Sequence, residues 1–136
     1  MAKTKLSFED KEKIIHYLME RVEKANGKPL AIAISDGAGV LVSLTLMEGM
    51  AVRGGGFATH KAYTAAKFQK STWEMVKHLD KQGVPMSAFC DPNLSPLKGG
   101  APIKNEEGDV IGAVGISGWT GEEDQMLADE AAAQIC

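Results

Sequence analysis

The chain has 136 residues, 44% hydrophobic and 24% charged, with a formal net charge of -3. That is the size of one domain with its own core and a composition near the globular average, which excludes disorder and collagen-like arrays. No basic stripe marks a nucleic-acid binder, no apolar run reaches the ~18 residues of a membrane span, and Cys90 and Cys136 make no disulfide framework. Residues 1–136 therefore read as a single cytoplasmic domain, with no nucleic-acid partner and no membrane span.

The opening MAKTKLSFED carries Lys3 and Lys5 without an apolar region behind them, so no secretory signal is expected. Ser7–Asp10 then places a hydroxyl three residues before an acid, a weaker form of the box repeated at Ser71–Glu74 and Thr120–Glu123. Each predicts a helix start, because the hydroxyl accepts from a free N–H and the acid suits the positive helix end. The first helix is predicted over 8–26, with Phe8, Ile15, Leu18, Met19, Val22 and Ala25 on its apolar stripe. Asn26-Gly27 stops it and Pro29 prevents resumption.

Leu30–Ser35 alternates as a strand, with Leu30, Ile32 and Ile34 to one side and Ala31, Ala33 and Ser35 to the other. Asp36-Gly37-Ala38-Gly39 turns the chain into a second strand over 40–47, completing a hairpin. Gly54-Gly55-Gly56 opens a helix over 57–69, whose small stripe of Ala58, Ala62, Ala65 and Ala66 permits close packing. A third helix runs over 72–82, stopped by Gly83-Val84-Pro85. The segment 91–96 is a loop, since its two prolines block both helix and central strand. A strand over 97–104 contains Pro102 and belongs near an edge or bulge. Asn105–Gly108 turns into the last strand, 109–117, and the last helix covers 120–134. Hairpins give antiparallel strands that helices must cover. The expected fold is therefore a two- or three-layer α+β domain with an antiparallel sheet, similar in outline to profilin-like or PAS-like folds.

The 15 glycines, about 11% of the chain against a typical ~7%, include Gly112, Gly115, Gly118 and Gly121 at intervals of three. The spacing is neither a dinucleotide fingerprint nor a P-loop. It fits either close packing of a helix on the sheet or a flat wall for a planar ligand, and Gly54–Gly56, Gly99 and Gly100 admit the same two readings. His16, His60 and His78 lack zinc-site spacing. His16 lies off the apolar stripe, exposed or at a subunit boundary, either solvated or free to bind haem iron. His60 shares a polar face with Thr64 and Lys67, as a solvated side chain or a proton shuttle. His78 reads as surface. Asp36 has a local role in its turn. Cys90 and Cys136 read as inert, and Met19 and Met47 as core filling. Arg53, Lys61 and Lys98 are either ordinary surface cations or partners for carboxylates. Lys61 lies among alanines and requires a partner or a long snorkel.

Four motifs now appear in one order. Ala31–Gly39, Lys61-Ala62-Tyr63-Thr64-Ala65, Gly99-Gly100-Ala101-Pro102-Ile103 and Gly112–Gly118 followed by Asp124 resemble the strand-turn, "KA.TA", "GG.Pi" and "GaiGvSG…eqD" segments of the GlcG/HbpS-like haem-binding family. That family also supplies the C-terminal domain of PduO-type cobalamin adenosyltransferases. The resemblance spans about 30–133. It implies a profilin-like fold, a homo-oligomer and a tetrapyrrole ligand. It also implies haem as cofactor, with links to haem degradation or sensing, and a histidine of the first helix as ligand. His16 matches that histidine as the ligand to haem iron. Lys61 and Arg53 would meet the propionates, and Gly99, Gly100 and Gly115 would form the wall. Trp119 departs from the small residue expected there, and its indole narrows the pocket or stacks on a ring. Two other readings stay open. One is an enzyme acting on a hydroxylated or aromatic acid, with Asp36, His60 and Lys61 in its pocket and His60 as acid or base. The other is a non-catalytic partner subunit.

Overall fold

In the computed structural model, which describes residues 2–135, every predicted helix and strand forms. The order is α1 (Phe8–Ala25), β1 (Ala31–Asp36), β2 (Leu41–Leu46), α2 (Val52–Phe68), α3 (Thr72–Gln82), a 3-10 turn (Met86–Phe89), β3 (Gly100–Lys104), β4 (Val110–Ser117) and α4 (Gly121–Ala132). Cys136 lies outside the described residues.

The four strands make one antiparallel sheet in the order β2-β1-β4-β3. Strand alternation sends the large residues of β1 and β4 to one face. There Ile32, Ile34, Val114 and Ile116 pack with Ile14 and Leu18 of α1 and Leu127 and Ala131 of α4. The small residues Ala31, Ala33 and Ala113 turn to the other face, against Ala58, Ala62 and Ala65 of α2. The result is three layers, with β1 and β4 central and buried on both sides. Pro102 falls on β3, an edge strand, where a missing N–H breaks no interior ladder.

The boundaries depart from expectation in instructive ways. The buried stripe of α1 is Asp10, Ile14, Leu18 and Val22, a strict four-residue repeat. Phe8 and Met19, expected in the core, are 65% and 38% exposed. The Ser7–Asp10 box closes in both directions, whereas at Ser71 only the hydroxyl caps. Helix α2 begins five residues early, at Val52, and absorbs the three glycines. A side chain at Gly55 would press on Leu44 and Leu46, so this glycine lets the first turns of α2 lie close over β2. Strand β3 begins late, because Gly99 takes φ +128°, a conformation that L side chains rarely adopt.

Candidate functional site

Lys61 stands on the alanine stripe of α2 and is only 4% exposed. Its ammonium crosses to the C-terminal end of β4. It donates to the Ile116 carbonyl at 2.7 Å and reaches Asp124 Oδ2 of α4 at 3.4 Å. Asp124 Oδ1 accepts the Trp119 N–H at 2.9 Å, so one carboxylate ties α2 to the β4–α4 corner. Burial pushes the Lys61 ammonium below its ordinary range, opposed by the charge of Asp124. Burial likewise pushes the Asp124 carboxyl up, opposed first by Lys61 and then by the Trp119 N–H.

A second buried knot adjoins it. The Gly99 N–H and the Thr72 hydroxyl both donate to Gln125 Oε1, at 2.9 and 3.0 Å. Gln125 Nε2 donates to the Gly100 carbonyl, and the Gly100 N–H donates to Thr72 Oγ1. These bonds satisfy the backbone where β3 begins. Sequence reasoning missed Gln125 and Thr72. The only available signal was their polarity at helix positions facing the sheet.

The β4–α4 corner is bordered by grooves. One of about 380 Å³ is lined by Lys28, Met50, Arg53, Phe57, Ser117 and Trp119, among others. Another of about 440 Å³ is lined by Lys61, Leu97, Lys98, Ser117, Trp119 and Asp124, among others. Trp119 stands between them, its indole N–H donating to the Lys28 carbonyl at 2.7 Å. The indole packs on Gly27, where a side chain would collide with it. Lys98 lies 3.7 Å from the centre of the Trp73 ring and 3.6 Å from Glu122.

The structure distributes the sequence-level candidates rather than gathering them. Asp36 caps its own turn, accepting from the Ala38 and Val40 N–H groups at 2.9 Å each. It pairs across the sheet with Gly112, while Lys61 reaches Ile116. That is four residues along β4, about 13 Å at the rise of a strand. His60 is half-buried beside Lys61 on α2, and helical geometry turns the two side chains apart. Asp36, His60 and Lys61 therefore do not share one pocket. His78 is exposed.

His16 is exposed on α1, across the sheet from Lys61 and Arg53 of α2. A ligand held by His16 cannot meet Lys61 of the same chain. The glycine wall is closed as well. A side chain at Gly115 would strike the Ala58 carbonyl and the Ala62 N–H. At Gly100 it would strike the Lys61 carbonyl, and at Gly99 the Ile116 carbonyl. Of the two readings of these glycines, the close approach of α2 accounts for what is seen. No helix is long and apolar enough to cross a membrane among the described residues.

Comparison with known proteins agrees with this architecture. Residues 6–133 match the family described as "Haem degrading protein HbpS-like". A 15.0 kDa protein from the dhaT–dhaS intergenic region of Citrobacter freundii is 30% identical over 106 residues, 76% of this chain and 73% of the relative. The solved complex of PduOC with haem is 25% identical with a TM-score of 0.83, covering 96% of this chain and 95% of that one. Solved HbpS is 24% identical with a TM-score of 0.85, covering 98% and 92%. The ORFY protein of Klebsiella pneumoniae is 23% identical with a TM-score of 0.82, covering 94% and 88%. The last two likenesses are of fold.

Proposed function

The chain belongs to the HbpS-like family, and we propose that it binds haem, with His16 as the residue that would hold the iron. The observation that carries this reading is the state of His16. Its helix neighbours Tyr17 and Arg21 are tied to Glu130, while the His16 imidazole stands exposed. A neutral imidazole with a free lone pair is a ligand haem iron accepts. Met19, one turn on, is 38% exposed and offers a soft apolar flank to a porphyrin face. Lys13, one turn back, is exposed and offers a cation to a propionate. The haem held by PduOC in its solved complex supports haem as the ligand.

No group of three or more His, Cys, Asp or Glu gathers among the described residues to hold a bare metal ion. Haem would need none, because the porphyrin itself carries the iron. When bound, it brings iron redox chemistry that no side chain here supplies. The chain's part is to bind and orient the group.

Arg53 and Lys61 lie across the sheet from His16 and do not reach a haem that it holds in the same chain; the reading also includes self-association. The edge strand β2 supports it. Leu41, Val42, Leu44 and Leu46 are each 40–44% exposed, on a strand that has no strand neighbour on its outer side among the described residues. Cys90 is free and exposed, in keeping with a reducing cytoplasm.

Titration of the protein with hemin, followed in the Soret band, tests the reading. A saturable shift is expected, lost or changed in ligation signature in His16→Ala. A Soret spectrum that is the same in the wild type and the variant overturns the assignment of the ligand.

A further inference from the structure

We infer that the two grooves beside Trp119 form a second binding site, for a small aromatic carboxylate. Ser117 and Trp119 line both grooves, which therefore meet at the end of β4. The cations around them are Lys28, Arg53, Lys61 and Lys98, and the one carboxylate lining them, Asp124, is already held by Lys61 and the Trp119 N–H. Such an excess of positive charge, in a chain whose net charge is -3, attracts an anion. Arg53 and Lys28 form no ion pair among the described residues, whereas Lys98 pairs with Glu122. Arg53 is the free guanidinium, and its planar fork matches a carboxylate.

The walls set the rest of the ligand. Phe57 is 46% exposed and Leu97 49% exposed, and Met50, Pro29 and the Trp119 indole complete an apolar lining. Apolar walls around a few convergent polar groups are the usual form of a small-molecule site, and the Phe57 and Trp119 rings among the lining favour an aromatic ligand.

Ser117 supplies the decisive polar group. It is only 8% exposed, and strand alternation turns it to the α2 face with Ala113 and Gly115. Its hydroxyl makes no hydrogen bond within the described residues, yet no fully enclosed polar atom is left without a partner. The hydroxyl therefore faces the groove space, ready for a ligand oxygen. The site lies across the sheet from His16, so it does not depend on the haem reading.

Benzoate and 4-hydroxybenzoate are the probes, titrated into the full chain and followed by two-dimensional amide NMR. Saturable shifts are expected at the Trp119 indole N–H and at the Ser117 and Gly118 amides. Arg53→Gln, an exposed position, is expected to weaken binding at least tenfold, about 1.4 kcal/mol. Ser117→Ala is expected to weaken 4-hydroxybenzoate or benzoate several-fold, and neutral benzamide to bind at least tenfold more weakly than benzoate. His16→Ala is expected to leave all of these unchanged. The inference is overturned by shifts that do not saturate, by benzamide binding as well as benzoate, by an Arg53→Gln variant that binds like the parent, or by loss of binding in His16→Ala.

Discussion

Lys61 and Asp124 form an ion pair in which each side chain is 5% or less exposed. The desolvation of two charges largely offsets their attraction, so the pair adds little over an apolar replacement. Losing one partner, however, strands the other. Lys61→Met and Asp124→Leu are each expected to cost about 3–5 kcal/mol, and the double variant clearly less than the sum. Equilibrium urea unfolding of the four proteins measures the coupling, and strict additivity would contradict it. The variants also differ in their response to pH. In Lys61→Met the Asp124 carboxyl loses the charge that restrained its upward shift. A group whose folded pKa is raised contributes stability below its unfolded value, and loses it as pH rises through the folded value. Lys61→Met should therefore be weakest at neutral pH and regain stability as pH falls toward 4, near the ordinary carboxylate pKa of 3.8. A loss that is independent of pH would mean that Asp124 is not the stranded charge. The lysine's need for a partner was legible, because it sits between Ala58, Ala62 and Ala65. The partner's position was not, since 63 residues separate the two.

At the scale of the element, α2 decides what the glycines do. Its alanine stripe brings helix backbone against β4, and Gly115 leaves no room for a methyl group against Ala58 and Ala62. Gly115→Ala is expected to destabilise by about 1–3 kcal/mol or more, since both obstacles are backbone. Gly56→Ala is the contrast. It lies in the same helix with nothing within 4 Å of the added methyl, and is expected to stabilise by about 0.5–1 kcal/mol through helix propensity. Thermal unfolding reads both signs, and a neutral Gly115→Ala would reopen the ligand-wall reading. The helix starts were legible because a cap is written within four residues, as at Thr120, where hydroxyl and acid bond reciprocally. The early start of α2 was not. Its first residue, after Ala51, has no side-chain cap, and of its three glycines only Gly55 lies over β2, at Leu44 and Leu46.

For the whole molecule, β2 is the exposed flank of the sheet. Apolar side chains on both faces of an edge strand are a template for a further strand or a second copy. If the proposed self-association runs through β2, Val42→Lys and Leu44→Lys reduce the mass in sedimentation to that of one chain, without changing the circular dichroism of the fold. An assembly that survives both substitutions would place the interface elsewhere.

What the sequence determined by itself were the local devices: caps at Ser7, Ser71 and Thr120, the Asp36 turn, the alternation of β1, and the small stripe of α2. These depend on neighbours within a few residues, and the four ordered motifs were enough to identify the family. The tertiary structure alone decided which candidates meet. The order β2-β1-β4-β3 puts α1 and α2 on opposite faces, which parts His16 from Lys61 and Arg53. The same arrangement brings Ser117 and Trp119 to the N-terminal turns of α2, and Asp124 to Lys61 at its middle. Periodicity assigns each side chain to a face of its own element, but only the long-range strand pairing determines which faces come together.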